Sequence, residues 1–96
     1  MSLSHEVVTV YASATVMISA QRSALPDYCE GVTVSVQNLN AANYVYIGNS
    51  GTSSVSYGFR LSPGQAFSID LDPSDQLFAA TNDTSSQIAV TRLFWQ

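Results

Sequence analysis

The sequence predicts an all-β fold, an antiparallel β-sandwich or a small barrel of about seven short strands. Apolar and polar residues alternate with a period of two in several segments, as they do on strands that bury one face. Glycine, proline and asparagine recur between these segments at intervals of about 8 to 12 residues, which is typical of sandwiches and barrels. No window has the apolar spacing of a helix over three turns, so at most one helical turn, within 20–28, is expected.

The clearest strand is 31–38, where three valines alternate with Thr33, Ser35 and Gln37. This pattern predicts a half-buried antiparallel strand with the valines on the core side. The other predicted strands cover 7–11, 16–18, 44–47, 65–71, 76–81 and 87–95. In the last of these the alternation changes phase between Val90 and Leu93, which predicts a bulge near a sheet edge.

The core is predicted from the apolar positions of these strands. It consists of Val8, Val10, Val16, Ile18, Val32, Val34, Val36, Val45, Ile47, Leu61, Phe67, Ile69, Leu71, Leu77, Ala79, Ile88 and Val90. Most of these side chains are of medium size, so their burial offsets the chain entropy narrowly, and neighbouring subunits are expected to add stability.

Turn chemistry separates the strands. Ser62-Pro-Gly-Gln65 has proline and glycine at the central positions of a type II turn, and Asp72-Pro-Ser-Asp75 fits a type I turn. The segment 38–43 contains three asparagines that favour a loop, and 82–84 is expected at a hairpin tip.

The length of 96 residues predicts one domain, with an N-terminal arm at 1–6 and a single β-sandwich domain at 7–96. The first residues have neither the basic segment nor the long apolar segment of a signal peptide, and no apolar run reaches about 20 residues, so the chain is expected to be made in a reducing cytoplasm. Cys29 is the only cysteine and is interpreted as an inert thiol.

The charge balance excludes two classes of partner. Only 10% of the residues are charged, lysine is absent, and three arginines against seven carboxylates give a net charge of −4. Nucleic acids and anionic membranes both require clustered basic residues, so neither is expected as a partner. Serine, threonine, asparagine and glutamine together supply 33 residues, so the surface is solvated mainly by hydroxyl and amide groups.

No catalytic, cofactor-binding or metal site is expected. The only histidine, His5, lies in the predicted arm, whereas a catalytic base must be held rigidly beside its nucleophile. The acidic segment 70–75 invites comparison with a calcium loop, but its sixth position is Asp75 instead of glycine, and Thr81 stands where a bidentate carboxylate is needed. A turn is favoured there, with a cation site as the alternative.

The aromatic residues are the candidates for contact with a partner. Several of them fall on the side of their strands that faces away from the valines. Three roles stay open for them: covering the rim of the core, forming a subunit or lattice interface, or stacking on a sugar. The candidates for an interface are Tyr11, Tyr44, Tyr46, Tyr57, Phe94 and Trp95.

An ordered set of motifs runs through residues 31 to 93. They are GVTVSVQNLN at 31–40, VYIG at 45–48, GFRLSPGQ at 58–65, IDLDP at 69–73, LFA at 77–79 and IAV at 88–90. In this order they resemble small β-sandwich virion proteins of tailed bacteriophages. The similarity covers about two thirds of the chain and depends on the order of the motifs.

The resemblance implies a non-enzymatic structural protein, most plausibly a decoration or cement protein that stabilises the head shell. Such proteins are often homotrimers on the lattice of the major capsid protein, so the chain would reside in the virion after synthesis in the host cytoplasm. The arm at 1–6 and the loop at 20–30 are the segments expected to contact the lattice. The alternative is a tail-associated or surface-displayed adhesin or carbohydrate-binding module, with Tyr44, Tyr46, Tyr57 or Trp95 as the stacking platform.

Overall fold

The computed structural model describes residues 2–18, 31–72 and 75–95, with the side chains of Ser2 and Trp95 left out. These residues form strands and loops and contain no helix. The strands are β1 (Ser2–Tyr11), β2 (Val16–Met17), β3 (Gly31–Asn38), β4 (Val45–Gly48), β5 (Phe59–Leu61), β6 (Ala66–Leu71), β7 (Phe78–Thr81) and β8 (Ser85–Trp95). The predicted helical turn at 20–28 and Cys29 lie outside the described residues.

The strands form two four-stranded antiparallel sheets, which confirms the predicted all-β sandwich. Sheet I has the order β1-β8-β3-β6, and sheet II has the order β2-β7-β4-β5. The first strand pairs with the eighth, the second with the seventh, the third with the sixth and the fourth with the fifth. This nested pairing of one long folded hairpin across two sheets is the connectivity of a jelly roll.

The core lies between the sheets and contains all 17 predicted residues. Twelve of them are buried, and Val8, Val16, Phe67, Ile69 and Leu71 are partly buried against that cluster. Phe94, which is one of the interface candidates and not a predicted core residue, packs against the cluster as well. Each side chain of this size contributes about 1.5 to 3 kcal/mol when fully buried.

The predicted bulge in the last strand is wrong. β8 pairs residue for residue with β3, so that Val90 lies opposite Val36 and Arg92 lies opposite Val34. The alternation therefore continues inward through Arg92, and the apparent phase change arises because an arginine occupies a core-facing position. β8 is also a central strand of sheet I, between β1 and β3, and not an edge strand.

The segment predicted to be an N-terminal arm is part of the sandwich over the described residues 2–6. These residues begin β1 and pair with β8, from Ser2 opposite Phe94 to Glu6 opposite Val90. Local patterning did not indicate a strand because Ser4, His5 and Glu6 carry no apolar alternation. Their strand conformation depends on the long partner strand β8 instead.

The turns agree with the predicted chemistry. Gln65 N–H donates to Ser62 C=O over 2.9 Å, and Gly64 has a φ of 79°, as the second central residue of a type II turn requires. Asp75 N–H donates to Asp72 C=O over 2.9 Å and closes the second turn, whose central residues lie outside the described part. The segment 82–84 is an exception: it connects β7 of sheet II to β8 of sheet I, so it crosses between the sheets and the predicted hairpin tip is wrong.

Candidate functional site

The outer face of sheet I is a neutral, hydroxyl-rich surface, here called the hydroxyl face and defined by Thr33, Ser35, Ser68, Asp70 and Thr91. Thr33 Oγ1 donates to Asp70 Oδ1 over 2.6 Å, and the hydroxyl oxygens of Ser35 and Ser68 lie 2.6 Å apart in a hydrogen bond. Thr91 lies opposite Ser35 on the neighbouring strand. Cross-strand hydrogen bonds therefore fix these short side chains in position.

Aliphatic side chains continue the hydroxyl face toward β1. Leu3 lies opposite Leu93 and Val7 lies opposite Ala89, and the side chains of Leu3 and Val7 are 65% and 60% exposed. A shallow depression at the centre of the face is lined by Ser35, Gln37, Ala66, Ser68, Ala89 and Thr91. Asp70, His5 and Tyr11 are the titratable residues on this side of the described strands. The face is therefore suited to contact by shape and neutral hydrogen bonds.

The outer face of sheet II is aromatic and is here called the tyrosine face, defined by Tyr44, Tyr46, Tyr57 and Arg60. The rings of Tyr46 and Tyr57 pack with their centroids 4.8 Å apart. The guanidinium carbon of Arg60 lies 4.7 Å from the centroid of Tyr44. No carboxylate of the described residues pairs with Arg60, and the ring of Tyr44 is its contact within that part of the chain.

The loop 49–58 determines which of these tyrosines is accessible. Gly58 N–H donates to Ile47 C=O over 2.8 Å, which returns the loop along β4. Tyr46 is buried, although it points away from the core, and Tyr57 is 45% exposed. Tyr57 therefore covers Tyr46 and presents the outer ring of the pair to solvent.

The six predicted interface residues do not form one surface. Tyr44, Tyr46 and Tyr57 come together on sheet II, and Tyr11 is exposed at the end of β1 on sheet I. Phe94 is partly buried and packs against the core cluster. Trp95 lies opposite Gly31 in the strand register, and its side chain is outside the described part.

A polar network that the sequence did not predict closes one end of the sandwich. Asn38 is fully buried, and its amide nitrogen donates to Asn43 C=O over 2.9 Å and to Leu61 C=O over 3.1 Å. The Asn38 side-chain oxygen accepts the Asn40 N–H over 2.9 Å. The abundance of asparagine in 38–43 indicated a loop but could not indicate that one asparagine would be buried.

Hydroxyl groups extend this network to the connection between β7 and β8. Thr81 Oγ1 donates to Tyr44 C=O over 2.9 Å and lies 2.9 Å from Ser86 Oγ. Asn43 Nδ2 donates to Asp83 Oδ2 over 3.1 Å. Within the described residues every buried polar side-chain atom has a hydrogen-bond partner, so this end of the sandwich is structurally satisfied and offers no orphaned group to a ligand.

The titratable residues are dispersed. His5 is exposed on β1 opposite Thr91, and the described residues supply no hydrogen bond to its imidazole. In the acidic segment, Asp75 Oδ2 accepts the Asp72 N–H over 3.1 Å, as in a turn. No group of three metal-ligating side chains occurs among the residues that the structure describes. The same part of the chain contains no helix long and apolar enough to cross a bilayer.

Comparison of the sequence with known families and curated proteins found no match. No protein-family model matches the sequence. No curated protein sequence matches it at a significant level either.

Proposed function

We propose that the chain is a non-enzymatic structural protein of a tailed-bacteriophage virion. In this proposal it is made in the host cytoplasm and decorates the capsid, where it stabilises the head shell as a homo-oligomer on the major capsid lattice, and the resemblance favours a trimer. Two features support the proposal, namely the motif order over residues 31 to 93 and the jelly-roll connectivity, which occurs in viral capsid and lectin domains. Because one fold serves many functions, the fold alone does not assign a function, and the proposal depends on the properties of the surface.

The hydroxyl face is the observation that carries this proposal. Its side chains are short, and the Thr33–Asp70 and Ser35–Ser68 hydrogen bonds already hold them in place, so docking costs little side-chain entropy. Few charges have to be desolvated on this face, and binding through it is expected to depend little on salt. These properties suit a permanent contact with a protein lattice better than an electrostatically steered encounter.

The test is co-sedimentation of the purified protein with capsid shells of the encoding phage that lack this chain. We expect saturable binding that changes less than about threefold between low and high salt, since long-range charge attraction is not required. Ser68→Arg introduces a bulky charge on the hydroxyl face and should weaken binding at least tenfold. Ser54→Arg, an equally exposed serine in the loop 49–58, is the matched control and should bind like the wild type. Absence of wild-type binding, or equal binding by both variants, would overturn the proposal.

A second candidate function is a carbohydrate-binding module, which the tyrosine face favours. The half-exposed ring of Tyr57 packs on Tyr46, and Arg60 lies opposite Tyr46 in the strand register with its guanidinium over Tyr44. An aromatic platform therefore lies near a cation that pairs with no carboxylate of the described residues. Sugar rings stack on such platforms, and a guanidinium binds carboxylates. A glycan array with the wild type, Tyr57→Ala and the control Tyr11→Ala tests this function. Binding that is lost only in Tyr57→Ala supports it, and an array without hits removes it.

A further inference from the structure

β1 is the longest open edge of the sandwich. It comprises ten residues, and within the described part of the chain β8 pairs with one side of it while the other side has no partner strand. The other three edges are shorter, with six residues in β6, two in β2 and three in β5. A long edge strand presents a row of backbone N–H and C=O groups that can pair with another chain.

β1 carries few of the features that usually block an edge. Proteins protect edges with charged side chains (lysine above all), proline, a bulge, inward-pointing charges, or a covering helix or loop. β1 contains neither lysine nor proline, and it pairs one-to-one with β8 along its whole length. Its single carboxylate, on Glu6, accepts a hydrogen bond from Arg92 on the inner side of the sheet. Unlike β1, the β6 edge has exposed carboxylates at Asp70 and Asp72.

We propose that β1 pairs antiparallel with β1 of a second copy of this chain, in the register centred on Val7. In this register Val7 faces its own counterpart, and Leu3 lies opposite Tyr11. All the exposed apolar residues on the outer side of β1 then oppose apolar residues, which is the arrangement that stabilises neighbouring strands.

The neighbouring registers are less favourable. A shift that centres the pair on Glu6 places the two Glu6 carboxylates opposite each other, and like charges in that position destabilise a strand pair. A shift that centres it on Val8 leaves Leu3 without an opposing residue and places Tyr11 opposite His5. The distribution of side chains along β1 therefore selects the Val7 register.

The resulting interface is twofold and joins sheet I of two copies into one continuous eight-stranded sheet. The inference deepens the homo-oligomer part of the proposed function and does not depend on the capsid. Because the pairing closes on itself, it specifies a dimer in place of the trimer that the resemblance implies. It also extends the hydroxyl face across both copies.

Analytical ultracentrifugation with a charge variant is the first test. The wild type should sediment at twice the chain mass of 10.3 kDa. Val7→Lys places two ammonium groups opposite each other at the centre of the interface and should raise the dimer dissociation constant at least tenfold. The matched control is Val55→Lys at a loop tip, where the native side chain is 89% exposed, and it should leave the dimer unchanged. Circular dichroism of both variants verifies that the fold is retained.

Disulfide trapping tests the register itself. In a Cys29→Ser background, Val7→Cys should cross-link to itself under mild oxidation, because directly opposite residues have Cβ atoms about 5 Å apart. Tyr11→Cys alone should not cross-link, but it should cross-link when mixed with Leu3→Cys.

A trimeric mass, or a dimer that Val7→Lys leaves intact, overturns the inference, and a monomer overturns the homo-oligomer as well. A trapped dimer that fails to bind capsid shells supports the inference and removes only the decoration role.

Discussion

Arg92 of the central strand β8 donates a hydrogen bond from Nη2 to Glu6 Oε1 on the neighbouring strand β1, over 2.9 Å. Its Nε donates a second bond, also of 2.9 Å, to the backbone oxygen of Ile18, which follows β2 of the opposite sheet. The Arg92 side chain is only 12% exposed, whereas that of Glu6 is 52% exposed. Arg92 therefore connects the two sheets at an end of the core and neutralises a partly solvated carboxylate.

Substitution of Arg92 by methionine should lower the free energy of unfolding by about 1.5 to 3 kcal/mol, since hydrogen bonds to a charged donor are worth about that much. Methionine keeps most of the apolar volume but leaves the Ile18 oxygen without this donor. Urea denaturation measures the change. Glu6→Gln should lower the free energy of unfolding by only about 0 to 1 kcal/mol, because the Glu6 carboxylate is exposed and its charge is screened by water. Arg60→Met, at an exposed position, is the control, and equal losses for the two arginines would contradict the bridging role.

Substitution of Asn38 by alanine should destabilise the protein by about 3 kcal/mol. The change removes two donors and one acceptor from a fully buried position, and each buried group left unpaired costs about 1 to 3 kcal/mol. Thermal and urea unfolding provide the measurement. Asn49→Ala is the matched control, since Asn49 is exposed and, among the described residues, its side chain accepts the Gly51 N–H alone. A loss below about 1 kcal/mol for Asn38→Ala would show that the network contributes little.

Substitution of Gly64 by alanine should lower the free energy of unfolding by about 1 to 2 kcal/mol, because of the backbone conformation and not because of a steric clash. The φ of 79° is unfavourable for a residue with a Cβ atom, yet no atom lies within 4 Å of the position that this Cβ would occupy. Gly64→Asn should recover part of the loss, because asparagine tolerates the left-handed region better than alanine. Identical unfolding midpoints for the two variants would point away from this conformational cause.

Substitution of Gly48 by alanine should act through sterics instead. A Cβ at this position would lie 2.6 Å from Thr52 Oγ1 and 3.2 Å from the Gly58 backbone nitrogen, so the loop 49–58 must shift. We expect a loss of about 1 to 3 kcal/mol, typical of overpacking, together with greater exposure of Tyr46 in a tyrosine-fluorescence quenching experiment. Gly51→Ala is the control, because the nearest atom to its Cβ is a side-chain oxygen at 3.3 Å. Unchanged quenching in Gly48→Ala would mean that the loop does not depend on this contact.

The fold class and the core could be predicted because they depend on local patterning. Alternation places valines such as Val34 on the inner side of a strand regardless of its neighbours, and the predicted core was correct throughout. β5 escaped prediction because Phe59–Leu61 is too short to display a period. Phe94 was placed among the interface candidates and not in the core, because Arg92 interrupts the apolar series two residues before it.

The surfaces could be predicted only in part, because they depend on which strands become neighbours. The pairing of Ser35 with Ser68 and of Thr33 with Asp70 joins residues more than 30 positions apart, and no local pattern encodes it. Residues 2–6 became part of a strand for the same reason. The tyrosines at 44 and 46 share a face by simple alternation, but the cover that Tyr57 provides depends on the path of a loop.

The pairing of Ser2 with Phe94 places the two ends of the described chain on adjacent strands, about 5 Å apart at their Cα atoms. A peptide or fluorescent protein fused to either of these strand ends would therefore emerge at the same end of sheet I. A tension applied between the ends would separate β1 from β8 one residue pair at a time, like a zipper, and would not load all their hydrogen bonds at once. The sandwich therefore has a low mechanical resistance to a force applied between these two ends. An attachment that must withstand force would have to use other residues.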